Sequence, residues 1–127
     1  MDDRKALVRR AFAALDAGDT GLFTELFAPD AKWIGIPQGG EDETPSCANR
    51  AVIVDRLAQH HANGRRFQLG KLIEEGDRIA VETTVLAPEW SGPVTLFKVF
   101  TFDPDSDVVV RLNDCLDESY ALQVLAA

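Results

Sequence analysis

The apolar residues of this chain change period at Asn63-Gly64, and that change limits it to folds that keep helices apart from a run of strands. Upstream, residues 3–17 place Leu7, Val8, Ala11, Phe12, Ala14 and Leu15 on one broad helical stripe, with Asp2 and Asp3 at the positive end of the helix dipole. Gly18 is a natural stop, and Asp19 can cap a second, short helix carrying Leu22, Phe23, Leu26 and Phe27 ahead of Pro29. Residues 31–36 read as a strand ending at Pro37. Residues 38–47, rich in Gly, Pro and acids, read as a surface loop of the kind that often edges a site. A third helix covers 48–62, with Ala51, Ile53, Val54, Leu57 and Ala58 as its apolar positions.

Downstream the spacing is that of strands. Phe67 to Glu74 and Arg78 to Ala87 form a hairpin around Glu75-Gly76-Asp77. A loop from Pro88 to Pro93 contains Trp90, a residue placed to lid a mouth or to make a dimer contact. Strands over 94–102 and 108–117 are joined by the strong turn residues Asp103-Pro104-Asp105-Ser106-Asp107, and Tyr120 to Leu125 makes a last helical turn. The predicted class is α+β: a curved antiparallel sheet wraps three N-terminal helices, and its open mouth becomes an internal pocket.

The 127 residues make a single domain, able to bury roughly two thirds of its unfolded surface, enough for one core and one cavity. Acidic residues outnumber basic ones 21 to 13, and no basic cluster offsets the net charge of −8, which argues against nucleic acid as a partner. There is no apolar run of membrane-spanning length and no secretory signal pattern at the N-terminus. The two cysteines, Cys47 and Cys115, stand in no metal-type spacing, and with the missing signal they fit free thiols in a cytoplasmic setting. No Ser-His-Asp order, phosphate loop, dinucleotide fingerprint or metal-ligand spacing is present, so no cofactor and no metal are expected.

One pair carries chemistry. The five-residue connection between the last two strands keeps their even-numbered residues on one face, because side chains alternate along each strand. Leu96, Lys98, Phe100 and Phe102 then share a face with Leu112, Asp114 and Leu116, and five of these seven are large and apolar. Lys98 and Asp114 are therefore expected as a charge pair in an apolar cavity, each needing the other. On the functional reading Asp114 is a general acid/base tuned by Lys98 and by burial, while Lys98 polarises a carbonyl or holds a substrate carboxylate. On the structural reading the pair fixes strand register, or lies on the outer face at a dimer contact. Candidate ligand-contacting residues are Trp33 as a pocket wall, the Thr83 hydroxyl, Phe12, Phe100 and Leu116, and His61, four after Leu57 at the end of the third helix. Cys115 falls on the face opposite Asp114. An interior filled by Phe12, Phe67, Phe100 and Phe102 would mark a scaffold, whereas a cavity of about 300 Å3 or more would mark ligand chemistry.

Several stretches resemble a known superfamily. Phe12-Ala13-Ala14-Leu15-Asp16-Ala17-Gly18-Asp19 and Leu26-Phe27-Ala28-Pro29-Asp30-Ala31-Lys32-Trp33 are similar to the opening of nuclear-transport-factor-2-like proteins. Ile73-Glu74-Glu75-Gly76-Asp77-Arg78-Ile79-Ala80-Val81 resembles their central hairpin. Val99-Phe100-Thr101-Phe102-Asp103 and Val110-Arg111-Leu112-Asn113-Asp114-Cys115-Leu116-Asp117 resemble their closing strands. The nearest branches are the SnoaL-like polyketide cyclases and the ketosteroid isomerases. The resemblance implies a cone-shaped α+β barrel, a deep apolar pocket, a small apolar ring-bearing ligand and a homodimer. It does not imply one chemistry, because the fold hosts enzymes, binding proteins and adaptors alike. The isomerase machinery is missing: its tyrosine position is Ala11, its base falls at Gly35 or Ile36, and its protonated acid is Lys98. Of three positions used by related epoxide hydrolases, Thr83, Val85 and Asp114, only Asp114 keeps the required residue type. Two functions follow: proton transfer on an apolar ring-bearing substrate, or a non-catalytic ligand-binding or dimerising module.

Overall fold

Side-chain caps and left-handed glycines set the limits of the helices in this computed structural model, which describes residues 3–35 and 45–127. The Asp3 carboxylate accepts the Lys5 N–H and opens α1 (Arg4–Asp16), and Asn49 accepts the Val52 N–H and opens α3 (Arg50–Ala62). Gly18 and Gly64, at φ 89° and 86°, turn the chain out of these two helices as expected. Between them lie α2 (Gly21–Leu26) and β1 (Phe27–Ile34). Most of the expected 38–47 loop and the Ile36 end of the first strand lie outside the described residues. The strand run is β2 (Arg66–Glu75), β3 (Arg78–Leu86), β4 (Val94–Phe102) and β5 (Val109–Cys115), closed by α4 (Glu118–Ala126).

The strands form one sheet in the order β1-β5-β4-β3-β2. The three hairpin-type junctions make β2 to β5 antiparallel, as expected. The exception is β1, which pairs with β5 in parallel, so the sheet is mixed. No turn joins these two strands: α3 and the whole antiparallel run separate them, which is the kind of long connection that parallel neighbours require. β1 also starts four residues earlier than expected and runs through Pro29, which an edge strand tolerates because one side of its backbone needs no ladder partner. With β1 and β2 at its two edges the sheet is open, which corrects the expectation of a barrel. Part of the β1 edge is covered: Trp33 exchanges backbone hydrogen bonds with Ser46 and Cys47.

The helices α1 to α3 pack on the inner face of the sheet. There Phe12, Phe23, Phe27, Phe67 and Phe100 fill the interior, with neighbouring ring centroids 5.1 to 6.4 Å apart. Such rings contribute their buried area and about 0.5–1.5 kcal/mol more per well-set pair. The outer face has its own smaller core, in which Ala121 and Leu125 of α4 cover Ala80, Phe97, Val99 and Cys115. Arg78 donates to the carbonyl oxygens of Val124 and Ala127 and ties the end of α4 to the sheet. Val99 lies in the outer core and Val85 and Val109 in the inner one, so all three are buried within the chain itself. No helix among the described residues is long and apolar enough to cross a membrane.

Candidate functional site

Along the inner face of β4, the residue before the phenylalanine core is Lys98. The β4–β5 register sets it directly opposite Asp114, with Phe100 opposite Leu112 as the next pair inward. The expected shared face is correct, but loop length does not set it: β5 begins at Val109, and a register shift between Thr101 and Phe102 restores the parity. Lys98 Nζ donates to Asp114 Oδ1 at 2.7 Å, and the two side chains are 6% and 14% exposed. Removing two charges from water to this extent is costly, and the pair compensates only through close geometry and further hydrogen bonds.

Trp33 supplies these. The parallel β1–β5 seam sets it beside Leu112, and from there its Nε1–H donates to Asp114 Oδ2 at 2.8 Å. Lys98 Nζ lies 4.6 Å from the centroid of the same indole ring, a cation–π contact in a partly desolvated setting. Each carboxylate oxygen thus accepts one hydrogen bond, from two different strands, and each keeps acceptor capacity.

His60, on α3, meets Trp33 edge-on, with ring centroids 6.4 Å apart. A guanidinium nitrogen of Arg65 lies 3.0 Å from its Nδ1. Arginine can only donate, so Nδ1 is the acceptor and the ring proton resides on Nε2. Burial, then the cations Arg65, Lys98 and Arg56, lower the His60 pKa to about 4 against a smaller opposing pull from Asp114, so the ring is neutral at pH 7. Arg65 also bonds Glu89 at 3.3 Å and lies 5.0 Å over the Trp90 ring, which pins the loop after β3 to the end of α3. Cys47 is buried beside β1, and burial raises its thiol above the usual range, so it is not an activated nucleophile.

The other sequence-selected residues sit elsewhere. Thr83 is on the inner face and fully buried, but its hydroxyl already donates to the Val81 carbonyl at 3.0 Å. Phe12 and Phe100 belong to the phenylalanine core just inside the pair. The His61 ring packs against Gly18, on the side of α3 facing Asp16, and does not reach Trp33. Leu116 is 64% exposed, because β5 ends at Cys115 and Asp117 turns away to cap α4 by accepting the Tyr120 N–H. Sequence reasoning therefore joins Lys98, Asp114 and Trp33 but misses His60 and Arg65. The missed signal is helix phase: Ile53 and Leu57 mark the buried face of α3, and His60 lies nearer its centre than His61 does. Among the described residues, no three His, Cys, Asp or Glu side chains gather closely enough to hold a metal ion.

An open α+β sheet around helices, with an ion pair on the inner face beside a first-strand tryptophan, defines a small-domain class that comparison identifies. Residues 8–111 match the SnoaL-like domain family, and the chain belongs to it. Among solved structures, a Sinorhizobium meliloti protein provisionally assigned as a polyketide cyclase is similar at 24% identity and TM-score 0.66, over 86% of this chain and 93% of that one. IdmH of Streptomyces antibioticus, with the same provisional assignment, is similar at 18% identity and TM-score 0.70, over 99% of this chain and 100% of that one. An NTF2-like protein of unknown function from Cytophaga hutchinsonii has 11% identity and TM-score 0.70, over 96% of each chain. At these identities the likeness is one of fold. A search of curated proteins finds no match.

Proposed function

We propose that this SnoaL-like domain binds a largely apolar, ring-bearing small molecule against Trp33 and moves a proton on it, with Asp114 as the base. The observation that carries this reading is the Asp114 carboxylate: oriented by Trp33 and Lys98, only 14% exposed, and left with free lone pairs beside an ammonium group. A C–H next to a ring carbonyl gives its proton to the carboxylate, and Lys98 stabilises the charge that develops on the carbonyl oxygen. General-base catalysis of this kind contributes about 10²–10⁴-fold. Ketosteroid-type isomerisation is not part of the proposal, since Ala11 and Lys98 stand where that machinery needs a tyrosine and an acid.

The second reading, a non-catalytic binding module, is favoured by one fact: the deep interior is filled by phenylalanines. The two readings separate on a single reaction, exchange of the acidic ring C–H of 2-tetralone for deuterium, followed by NMR. The expected result is acceleration by the native protein and a loss of about 100-fold or more in Asp114→Asn. No acceleration, or an unchanged Asp114→Asn, leaves the binding module as the reading. The homodimer belongs to the same proposal and draws on Leu116, Tyr120 and Leu122, exposed apolar residues at and beside α4. Light scattering at twice 13.9 kDa is the expected mass. A reducing, cytoplasmic setting is supported by the two buried free thiols.

A further inference from the structure

Two cationic side chains touch the Trp33–His60 contact: Lys98 over the Trp33 ring and Arg65 at His60 Nδ1. Lys98 is matched by Asp114 and Arg65 by Glu89. Arg56 has no carboxylate partner among the described residues, in a chain whose net charge is −8. It stands one turn before His60 on α3, and residues four apart share a helix face. Arg56 is exposed on that face, so its guanidinium is open to a ligand. His60 presents a second unused donor. With Nδ1 occupied by Arg65, the remaining N–H is on Nε2, for which no acceptor is found among the described residues.

We infer that the substrate is an acid, and that its carboxylate is received by Arg56 and His60 side by side on α3. The inference rests on the proposed ligand site at Trp33 and adds the chemical class of what occupies it. A guanidinium and an imidazole N–H together satisfy a carboxylate, the first matching its charge and the second fixing one oxygen. Lys98 and Asp114 neutralise each other and leave no spare positive charge for this task. An acid group held at α3 brings its ring to the Trp33 end of the cluster, where the indole bonds Asp114. The two halves of the site thus divide the work: α3 holds the acid, and β4–β5 moves the proton.

The test uses the Trp33 indole N–H signal in ¹⁵N-labelled protein, assigned with Trp90→Phe, and titrates 2-naphthoate against its neutral methyl ester. The expected result is a shift of that signal by both probes, with the acid binding about tenfold more tightly, as one added charge contact allows. Arg56→Gln is expected to remove that preference and leave ester binding unchanged. Equal binding of acid and ester by the native protein overturns the inference while the ring site at Trp33 stands. A preference that survives in Arg56→Gln overturns the assignment to Arg56. If neither probe moves the Trp33 signal, the ring site itself falls, and the inference with it.

Discussion

At one end of the inner face of β4 the Arg4 guanidinium lies 4.7 Å over the Phe102 ring, and four residues back along the strand Lys98 lies 4.6 Å over Trp33. The two clusters are built from the same parts, a cation, an aromatic face and carboxylates, yet they are suited to different work. Arg4 spends all three of its nitrogens on the protein: Nε on Asp107, one terminal nitrogen on Asp77, the other on the carbonyls of Asp103 and Ser106. Its carboxylate partners are nearly half exposed. The result is a surface staple joining the start of α1 to the β2–β3 and β4–β5 turns. At the other end the pair is buried, and its carboxylate keeps acceptor capacity beside a neutral imidazole. Saturation and exposure, not composition, separate the two clusters.

The largest expected contrast comes from breaking each cluster. Asp114→Ala strands the Lys98 ammonium in a nearly dry setting and is expected to cost about 3–5 kcal/mol in urea unfolding. The double change Lys98→Met with Asp114→Leu removes both charges and is expected to regain most of that loss. A double variant as unstable as the single one means that the two residues are not coupled. Arg4→Ala loses more hydrogen bonds but leaves its partners open to water, so a smaller cost of about 1–2 kcal/mol is expected. That cost should shrink in 1 M salt, whereas the Lys98–Asp114 coupling should not. A salt-insensitive Arg4 would place the two ends in the same electrostatic regime.

The smallest effect concerns pH. His60 has a pKa of about 4 when folded against 6.5 in a free chain, so between those values the unfolded state binds the proton that the native state refuses. This contribution is complete above pH 6.5 and is lost as the pH falls toward 4. His60→Gln should flatten that part of the curve of urea midpoint against pH; an identical slope in the variant would show that the ring is not held neutral by its neighbours.

Much of this arrangement is legible in the sequence because it depends on local periodicity. The helical stripe of Val8, Ala11, Phe12 and Leu15, the turn at Gly76 and the alternation of β4 and β5 each act over a few residues. Lys98 and Asp114 are found by the same means, although the register shift rather than the loop sets the parity between their strands. What escapes is long-range. Nothing near Trp33 states that its neighbour is Leu112 or that its indole meets Asp114, and Pro29 reads as a break until the strand is known to be an edge. Leu116 is misread for a local reason: Asp117 is a helix cap, and a cap ends the strand before it.

The parallel seam between β1 and β5 has a consequence in time as well as in space. Trp33 and Asp114 are 81 positions apart, and they meet only when the first strand docks on the last. Closing so long a loop is entropically late, because hairpins form first and cheaply between neighbours. The β2–β5 meander can therefore assemble with Lys98 already facing Asp114 and still lack the indole that orients the carboxylate. The carboxylate held on both oxygens is a property of the finished molecule alone, and a folding intermediate stalled before that docking step would carry the ion pair without its indole partner.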